Sequence, residues 1–519
     1  MADTTAGAAP RGALHVFMLF AILALAFALR YWGAFFDLPY ILHPDEPFNV
    51  SVVQGMYERG SLNPHFFHYP SVFYYVNLLA AEIWFGARAV LTGVPWDPQA
   101  PVILALGTTK VADVDGVVLF RCVTLLVGTL SVWMCYLIGS KAYDRRVGLL
   151  AALLLAISPV AVVDSRNLTP DSYLLPTVLL AILASLSLSR SGTWRAYLVA
   201  GAAVGLAAAT KYTGAVVASA VIAAHFAYVG TSVRNWQRLL AAGAISAVAF
   251  LACTPYVLLD YAEFSRAGLH MQFDHYSGGH AGMDGASTLF YLRALWTLTG
   301  VAALAAVAYL WRALRERRGA DLVLAGFAIP YLIFICLFNV RNDRTLQPAI
   351  PCVLLFAAAF FTQARTWLAQ RTQISPGLRQ LLLGALALAL VLAPLRLTVL
   401  ETLRATTPDS RSTARAWIEQ NVPAGAAVAV ENYAPFVEPT RYNVVRLERA
   451  IDHEADWYLA QKVDYVVMSQ GMFGRYFDQA QTYPAEVGAY FRLMRAFTQI
   501  KRFDTGNFIV YVYRTSTPP

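Results

Sequence analysis

The sequence predicts a polytopic α-helical membrane protein with about 11 transmembrane helices and a C-terminal α/β domain outside the membrane. Three observations predict it. Hydrophobic residues make up 58% of the 519 residues and charged residues 14%, against about 25% charged in an ordinary globular protein. Apolar runs near the ~20-residue spanning length recur along the first 400 positions. Beyond about position 400 the runs stop and a mixed composition begins. A chain this apolar cannot cover a water-facing surface, so a mainly soluble enzyme is excluded. Disorder, collagen, a coiled coil and a small disulfide scaffold are excluded with it. The net charge of +8 calls for no nucleic-acid partner, because Lys and Arg accumulate in the cytoplasmic loops of multispan proteins.

The apolar runs fall at about 14–33, 117–140, 147–163, 173–190, 196–209, 213–229, 239–258, 288–311, 322–339, 346–364 and 380–399. A twelfth run, 71–92, carries Asn77, Glu82 and Arg88. With a cytoplasmic N-terminus and 71–92 not spanning, the internal loops hold fourteen Lys and Arg and the short external loops five. Letting 71–92 span would invert that ratio for every later loop. It is therefore read as an interfacial or re-entrant helix on the outer face. The first run is longer than a signal-peptide core of about 7–15 residues and no small-x-small site follows it, so it reads as an uncleaved anchor. The expected divisions are 1–400, a membrane domain with a first outer loop at 34–116, and 401–519, a soluble α/β domain. An odd number of spans puts the latter on the extracytoplasmic, periplasmic side of an inner membrane.

In the soluble part, Thr407-Pro408-Asp409-Ser410 reads as a helix start with Thr as N-cap and Pro at the first helical position. That helix passes through Trp417 and Ile418 and stops near Asn421-Val422-Pro423. Strand-like runs follow at Ala427–Glu431, Asn443–Leu447, Val463–Met468 and Asn507–Tyr513, with a helical stretch at Ala485–Phe497 before the last. The five cysteines, Cys122, Cys135, Cys253, Cys336 and Cys352, all lie in apolar runs and read as small buried hydrophobes.

The outer loops carry the chemistry. The first opens with His43-Pro44-Asp45-Glu46-Pro47, two adjacent carboxylates at the membrane edge. Such a carboxylate can take a proton from an acceptor or bind a metal. It can equally be a helix N-cap, since a helix can start near Pro47. Asn167-Leu168-Thr169-Pro170-Asp171, Lys211, and Arg341-Asn342-Asp343-Arg344 occupy later outer loops, and Arg121 lies at the outer end of span two. These cations suit an anion such as a lipid phosphate. Singly, each also suits a snorkelling anchor. Outer histidines at 43, 65, 68, 270, 275 and 280 show no H-E-x-x-H spacing, so no cofactor is expected, with a divalent metal as the alternative.

His43-Pro44-Asp45-Glu46 after span one resembles the D-E motif of GT-C glycosyltransferases, in the polyprenyl/dolichyl-phosphate-mannose protein mannosyltransferase-like family, which includes the lipid A aminoarabinose transferases. His68-Tyr69-Pro70-Ser71 is similar to that family's H-x-P segment, and the stretch from Arg121 to Gly148 resembles its second span and basic turn. Thr169-Pro170-Asp171 resembles its R-P-D loop with Thr in place of Arg. Gly205–Lys211 resembles its G-L-A-x-x-T-K stretch. Arg344, Pro348 and Pro351 keep an R-Y-x-x-P-x-x-P spacing with Thr345 in place of Tyr.

The resemblance implies a GT-C fold and inverting transfer of a sugar from a polyprenyl-phosphate-linked donor to a glycan, lipid or protein acceptor at the outer membrane face. On that reading Asp45 is the catalytic base and Glu46 a second catalytic or positioning carboxylate. His43, His68, Tyr69, Arg121, Asp171, Lys211, Arg341 and Arg344 are the substrate-binding set. The alternatives are a non-catalytic GT-C-like binding subunit and a lipid-sugar transporter or flippase. A transporter favours mid-span charges and an inverted repeat, whereas here the polar clusters gather at one face.

Overall fold

The computed structural model describes residues 11–99, 101–102, 108–230, 232, 235–270, 274, 278, 280–506 and 508–515. Helix α1 (Arg11–Tyr31) is followed by a two-residue strand β1 (Tyr40–Ile41), then α2 (Glu46–Arg59) and α3 (Val72–Thr92). Strand β2 (Thr109–Lys110) pairs antiparallel with β1, with Tyr40 opposite Lys110. This short ladder ties the two ends of the first outer loop together and fixes where His43, Pro44 and Asp45 emerge.

The bundle continues with α4 (Val114–Ala142), α5 (Arg145–Ala156), α6 (Pro159–Asp164), α7 (Pro170–Ser191), α8 (Trp194–Thr210), α9 (Ala218–Val229) and α10 (Trp236–Cys253). The Asp113 and Asp144 carboxylates cap α4 and α5 by accepting backbone N–H bonds from Gly116, and from Arg146 and Val147. Small residues set the close packing. A Cβ on Gly139 of α4 would lie 2.7 Å from the Cα of Gly148 in α5, and one on Gly201 of α8 would lie 2.2 Å from the Ala242 carbonyl of α10. Membrane helices approach closely at such residues because lipid supplies no hydrophobic drive between them. Leu14, Phe17 and Phe20 on α1 lie exposed on the bundle exterior, as lipid contact requires.

Eight helices among the described residues are long and apolar enough to cross a membrane. A ninth span is reached only if α11 (Ser287–Thr299) and α12 (Val301–Glu316) count as one, and they are bent by 108°. The run at 288–311, expected as one span, therefore breaks at Gly300, whose φ is +54°. The run at 147–163 is likewise split, because Pro159 opens a new helix and has no N–H to continue the old one. The count of eleven is not reached for these reasons and because α8 is short. Helix α3 is not among the eight. Helices α13 (Gly319–Cys336), α14 (Ile350–Gln370) and α15 (Pro376–Ala405) complete the bundle. Cys135 and Cys352 are buried as expected; Cys122, Cys253 and Cys336 are only half-buried, and all five are free.

The C-terminal part begins with α16 (Ser410–Asn421), whose cap is Asp409 accepting from the Arg411 N–H, not Thr407 as expected. Strands β3 (Ala427–Val430), β4 (Asn443–Arg446) and β5 (Tyr465–Ser469) precede α17 (Gln470–Phe477) and α18 (Pro484–Ala496), then β6 (Thr498–Phe503) and β7 (Val510–Arg514). The sheet order is β4-β3-β5-β7-β6. β3 is parallel to β4 and β5, and β7 is antiparallel to β5 and β6. β6 was not expected: it is an edge strand with Lys501 and Arg502 exposed, so its sequence lacks a clean apolar face.

The sheet unit docks on the segments at 37–42 and 108–110 through polar contacts. Arg411 donates to the Leu42 carbonyl at 3.0 Å, Ser412 to Asp37 at 2.8 Å, and Lys110 pairs with Glu438 at 2.6 Å.

Candidate active site

Asp45 sits at the start of α2, but its carboxylate does not cap the helix. It accepts instead from Arg344 Nη2 at 2.8 Å, which removes the N-cap reading. Arg344 comes from the short turn Asp343–Leu346 between α13 and α14. Its Nε lies 3.8 Å from Asp171, and Lys211 donates to the other oxygen of Asp171 at 2.6 Å. Asp171 lies in the first turn of α7, and Lys211 is the C-cap residue of α8. Four outer segments thus meet in one chain of charges, Asp45–Arg344–Asp171–Lys211. The Asp45 side chain remains 35% exposed while that of Asp171 is 5% exposed, so Asp45 is the carboxylate a substrate can reach.

The electrostatics follow from these contacts. Burial pushes the Asp45 carboxyl up, but the Arg344 guanidinium, by charge and by hydrogen bond, outweighs it and holds Asp45 below its usual range. Burial pulls Arg344 down, yet Asp171 and Asp45 raise it, so it stays a permanent cation. Its Nη1 lies 3.2 Å from His43 Nε2. Arginine has no acceptor, so that nitrogen offers its lone pair. Burial, then the Arg344 charge, keeps His43 neutral by lowering its pKa. Tyr69 faces the same group, and burial followed by the Asp45 charge raises its phenol, leaving it a protonated donor.

Other expected site residues have different duties. Glu46 and Arg121 form a bidentate pair at 2.9 and 2.7 Å with side chains 0% and 1% exposed. Arg121 also donates to the Ala34 carbonyl, and Glu46 accepts from the Leu168 N–H at 3.1 Å. Both groups are thereby sealed from solvent and paired with each other rather than opening onto the Asp45 carboxylate. Together they pin α2, α4 and the 164–171 turn against each other, which sets the position of Asp45 relative to Asp171. Arg341 donates to the carbonyls of Asp284 and Gly285, each at 2.7 Å, and holds that loop rather than the charge chain. His68 stacks on Phe66 at 4.4 Å between ring centroids.

Asp164 was missed by sequence reading. It accepts from Thr169 at 3.1 Å and Ser172 at 3.0 Å, fixing the turn that carries Asp171. Its only signal was an acid closing an apolar run. Thr169, standing where the resembling family has Arg, serves that turn. Thr345, in place of Tyr, donates to Asn342 at 3.1 Å. Among the described residues, no group of three or more His, Cys, Asp or Glu is arranged to hold a metal; His275 lies outside them.

Two hollows flank the charges. One, of about 180 Å³, runs from Lys211 and Thr345 between the aromatic rings of Tyr291, Tyr331, Phe334 and Phe338. The other, of about 260 Å³, is bounded by His43, Pro44 and Arg166 and by Arg411 and Phe508 of the C-terminal part.

This bundle, with a charged site at one end and a sheet unit beside it, has the GT-C fold. Residues 94–259, roughly a third of the chain, match the family described as dolichyl-phosphate-mannose-protein mannosyltransferase. That segment contains Arg121, Asp171 and Lys211. Among solved structures, ArnT from Cupriavidus metallidurans bound to undecaprenyl phosphate is similar over 98% of this chain and 100% of its own, at 16% identity and a TM-score of 0.56. The oligosaccharyltransferase AglB from Archaeoglobus fulgidus, in complex with an inhibitory peptide and a dolichol-phosphate, is similar over 98% of this chain and 75% of its own, at 13% identity and a TM-score of 0.60. No curated protein sequence matches the chain. The resemblance is borne out by the family match, which includes Gly205–Lys211, and by the fold.

Proposed function

We propose that this protein is an inverting glycosyltransferase that moves a sugar from a polyprenyl-phosphate donor to an acceptor at the extracytoplasmic membrane face. The observation that carries the proposal is the uncapped, accessible Asp45 carboxylate paired with Arg344 at 2.8 Å beside Asp171 and Lys211. In this reading the sugar phosphate enters at Lys211 and Arg344, and the first prenyl units lie along the aromatic hollow. The leaving phosphate is a weak base and needs positive charge rather than a strong acid. Phosphate drawn to Arg344 competes with Asp45 for the guanidinium. Asp45 then loses the charge that holds its pKa down and becomes the better base. It takes the proton of the acceptor as that atom attacks sugar C1 and the C1–O bond to phosphate breaks. Attack from the face opposite the leaving phosphate inverts the anomeric centre.

In this reading the N-terminus is cytoplasmic and the sheet unit periplasmic, an orientation that the charge split of the eleven-run map favours. Lys211 and Arg344 supply the positive charge, so transfer is proposed to survive EDTA. The fitting experiment incubates purified protein with polyprenyl-phosphate-linked sugars and a cell-envelope extract, then measures free polyprenyl phosphate and the anomeric configuration of the product. Release that depends on the extract, with inversion, is expected. A folded protein that binds donor without releasing polyprenyl phosphate would make it a binding subunit.

A further inference from the structure

The C-terminal sheet carries a hollow that the transfer chemistry above does not use. The chain leaves β3 toward β4 on one side, while β5 pairs with β3 on the other. In open sheets such a switch opens a crevice at the carboxyl ends of the parallel strands, and ligands bind there. Here a hollow of about 550 Å³ lies at that place. Asn432 and Tyr433 follow β3, Glu448 follows β4, and Gln470 opens α17 after β5. Its floor is pinned by Glu431, whose buried carboxylate accepts from the Ala450 and Ser469 N–H groups and from the Tyr490 hydroxyl. Its roof is the segment from His280 to Met283, contributed by the loop before α11.

The lining decides the ligand class. Asn432 and Gln470 place amides on the wall, with the Gln470 oxygen taken by the Ile509 N–H at 3.0 Å, while Tyr433 and Phe508 offer ring surface, 6.3 Å apart and steeply inclined. Glu448 and Asp478 outnumber the one arginine, Arg475, which stacks on Tyr433 at 5.3 Å. An anion is disfavoured by that balance and an apolar ligand by the amides. A neutral polyhydroxylated ring satisfies both surfaces, with hydroxyls to the amides and carboxylates and C–H faces to the rings. Phe508 also lines the hollow beside His43 and Pro44, so the two hollows adjoin across one side chain. The roof leads to the active site as well. Asp284 receives hydrogen bonds from Gln479 and Tyr483 of the sheet unit and from Arg341, three residues before Arg344.

We propose that this crevice binds a neutral saccharide belonging to the acceptor, an extended glycan whose far end reaches past Phe508 to Asp45. The acceptor role rests on the transferase reading above; the saccharide site itself does not. The test presents the purified full-length protein to an array of neutral and anionic oligosaccharides of three to six sugars. Wild type, Tyr433→Asn, Glu448→Gln and Asp45→Asn are compared. Tyr433 has a φ of +64°, a conformation that Asn tolerates, so this variant removes the ring and keeps the backbone.

Binding of at least one neutral oligosaccharide is expected, weakened tenfold or more by Tyr433→Asn and Glu448→Gln and retained by Asp45→Asn. No binding, binding of anionic sugars only, or binding untouched by both crevice variants overturns the proposal. Intact binding without sugar transfer would overturn the transferase reading and the acceptor role while leaving the saccharide site standing.

Discussion

Arg344 and Asp45 are 299 residues apart in the chain and meet at 2.8 Å. Each is half of the other's chemistry. The guanidinium keeps the carboxylate ionised and aimed, and the carboxylate holds the guanidinium beside Thr345, the next residue, which lines the aromatic hollow.

Asp45→Asn keeps the shape and removes the base. Transfer is expected to fall by about 10²–10⁴-fold, with expression and donor binding near normal. Purified-enzyme turnover alongside a donor-binding assay checks it, and near-wild-type turnover would remove Asp45 from the mechanism.

Arg344→Gln is expected to raise KM for the lipid-linked donor and lower kcat, because charge develops on the leaving phosphate. It also shifts the pH profile. Arg344 holds the Asp45 pKa down, so its loss moves the acidic limb of kcat/KM to higher pH. A profile measured from pH 4 to 8 shows the direction, and an unmoved limb would separate Arg344 from Asp45.

Glu46→Ala strands a buried guanidinium. Removing one member of a buried pair costs about 3–5 kcal/mol, so the variant is expected to lose folded protein. Arg121→Met with Glu46→Leu replaces both charges and is expected to recover much of that loss. Thermal unfolding in detergent measures both. Equal stability of Glu46→Ala and wild type would mean that the pair does not hold the site together.

Glu431 makes the sheet unit sensitive to pH. Burial raises its pKa from 4.5 to about 7. A carboxyl with a raised folded-state pKa favours folding fully below 4.5, and that advantage is lost as pH climbs through 7. Hydrogen exchange over residues 427–514 of the full-length protein, corrected for intrinsic rates, is expected to show protection falling between pH 5 and 8. Glu431→Gln should flatten the curve, and an unchanged slope would contradict the assignment.

Topology is read from fourteen internal against five external cations. A reporter fused at Arg317 is expected in the cytoplasm and one at the C-terminus outside. A cytoplasmic C-terminus would overturn the eleven-run topology from which the charge split is counted.

The sequence by itself determined the membrane class, the place of most spans, the change from apolar runs to mixed α/β composition past 400 and the residues from which the charge chain is built. Apolar length, cap residues and charge signs are local properties, so they are legible one segment at a time. His43, Asp45, Asp171, Lys211 and Arg344 each stand out by residue type and loop position alone. Which cation meets which carboxylate was decided only by tertiary structure, since Arg121 and Arg344 look alike in sequence. One is sealed against Glu46 at 1% exposure and the other lies open beside Asp45. The same holds for Arg341, which clamps a loop. The break at Gly300, the edge strand β6 and the Glu431 clamp depend on helix packing, strand order and burial, none of which any single segment encodes.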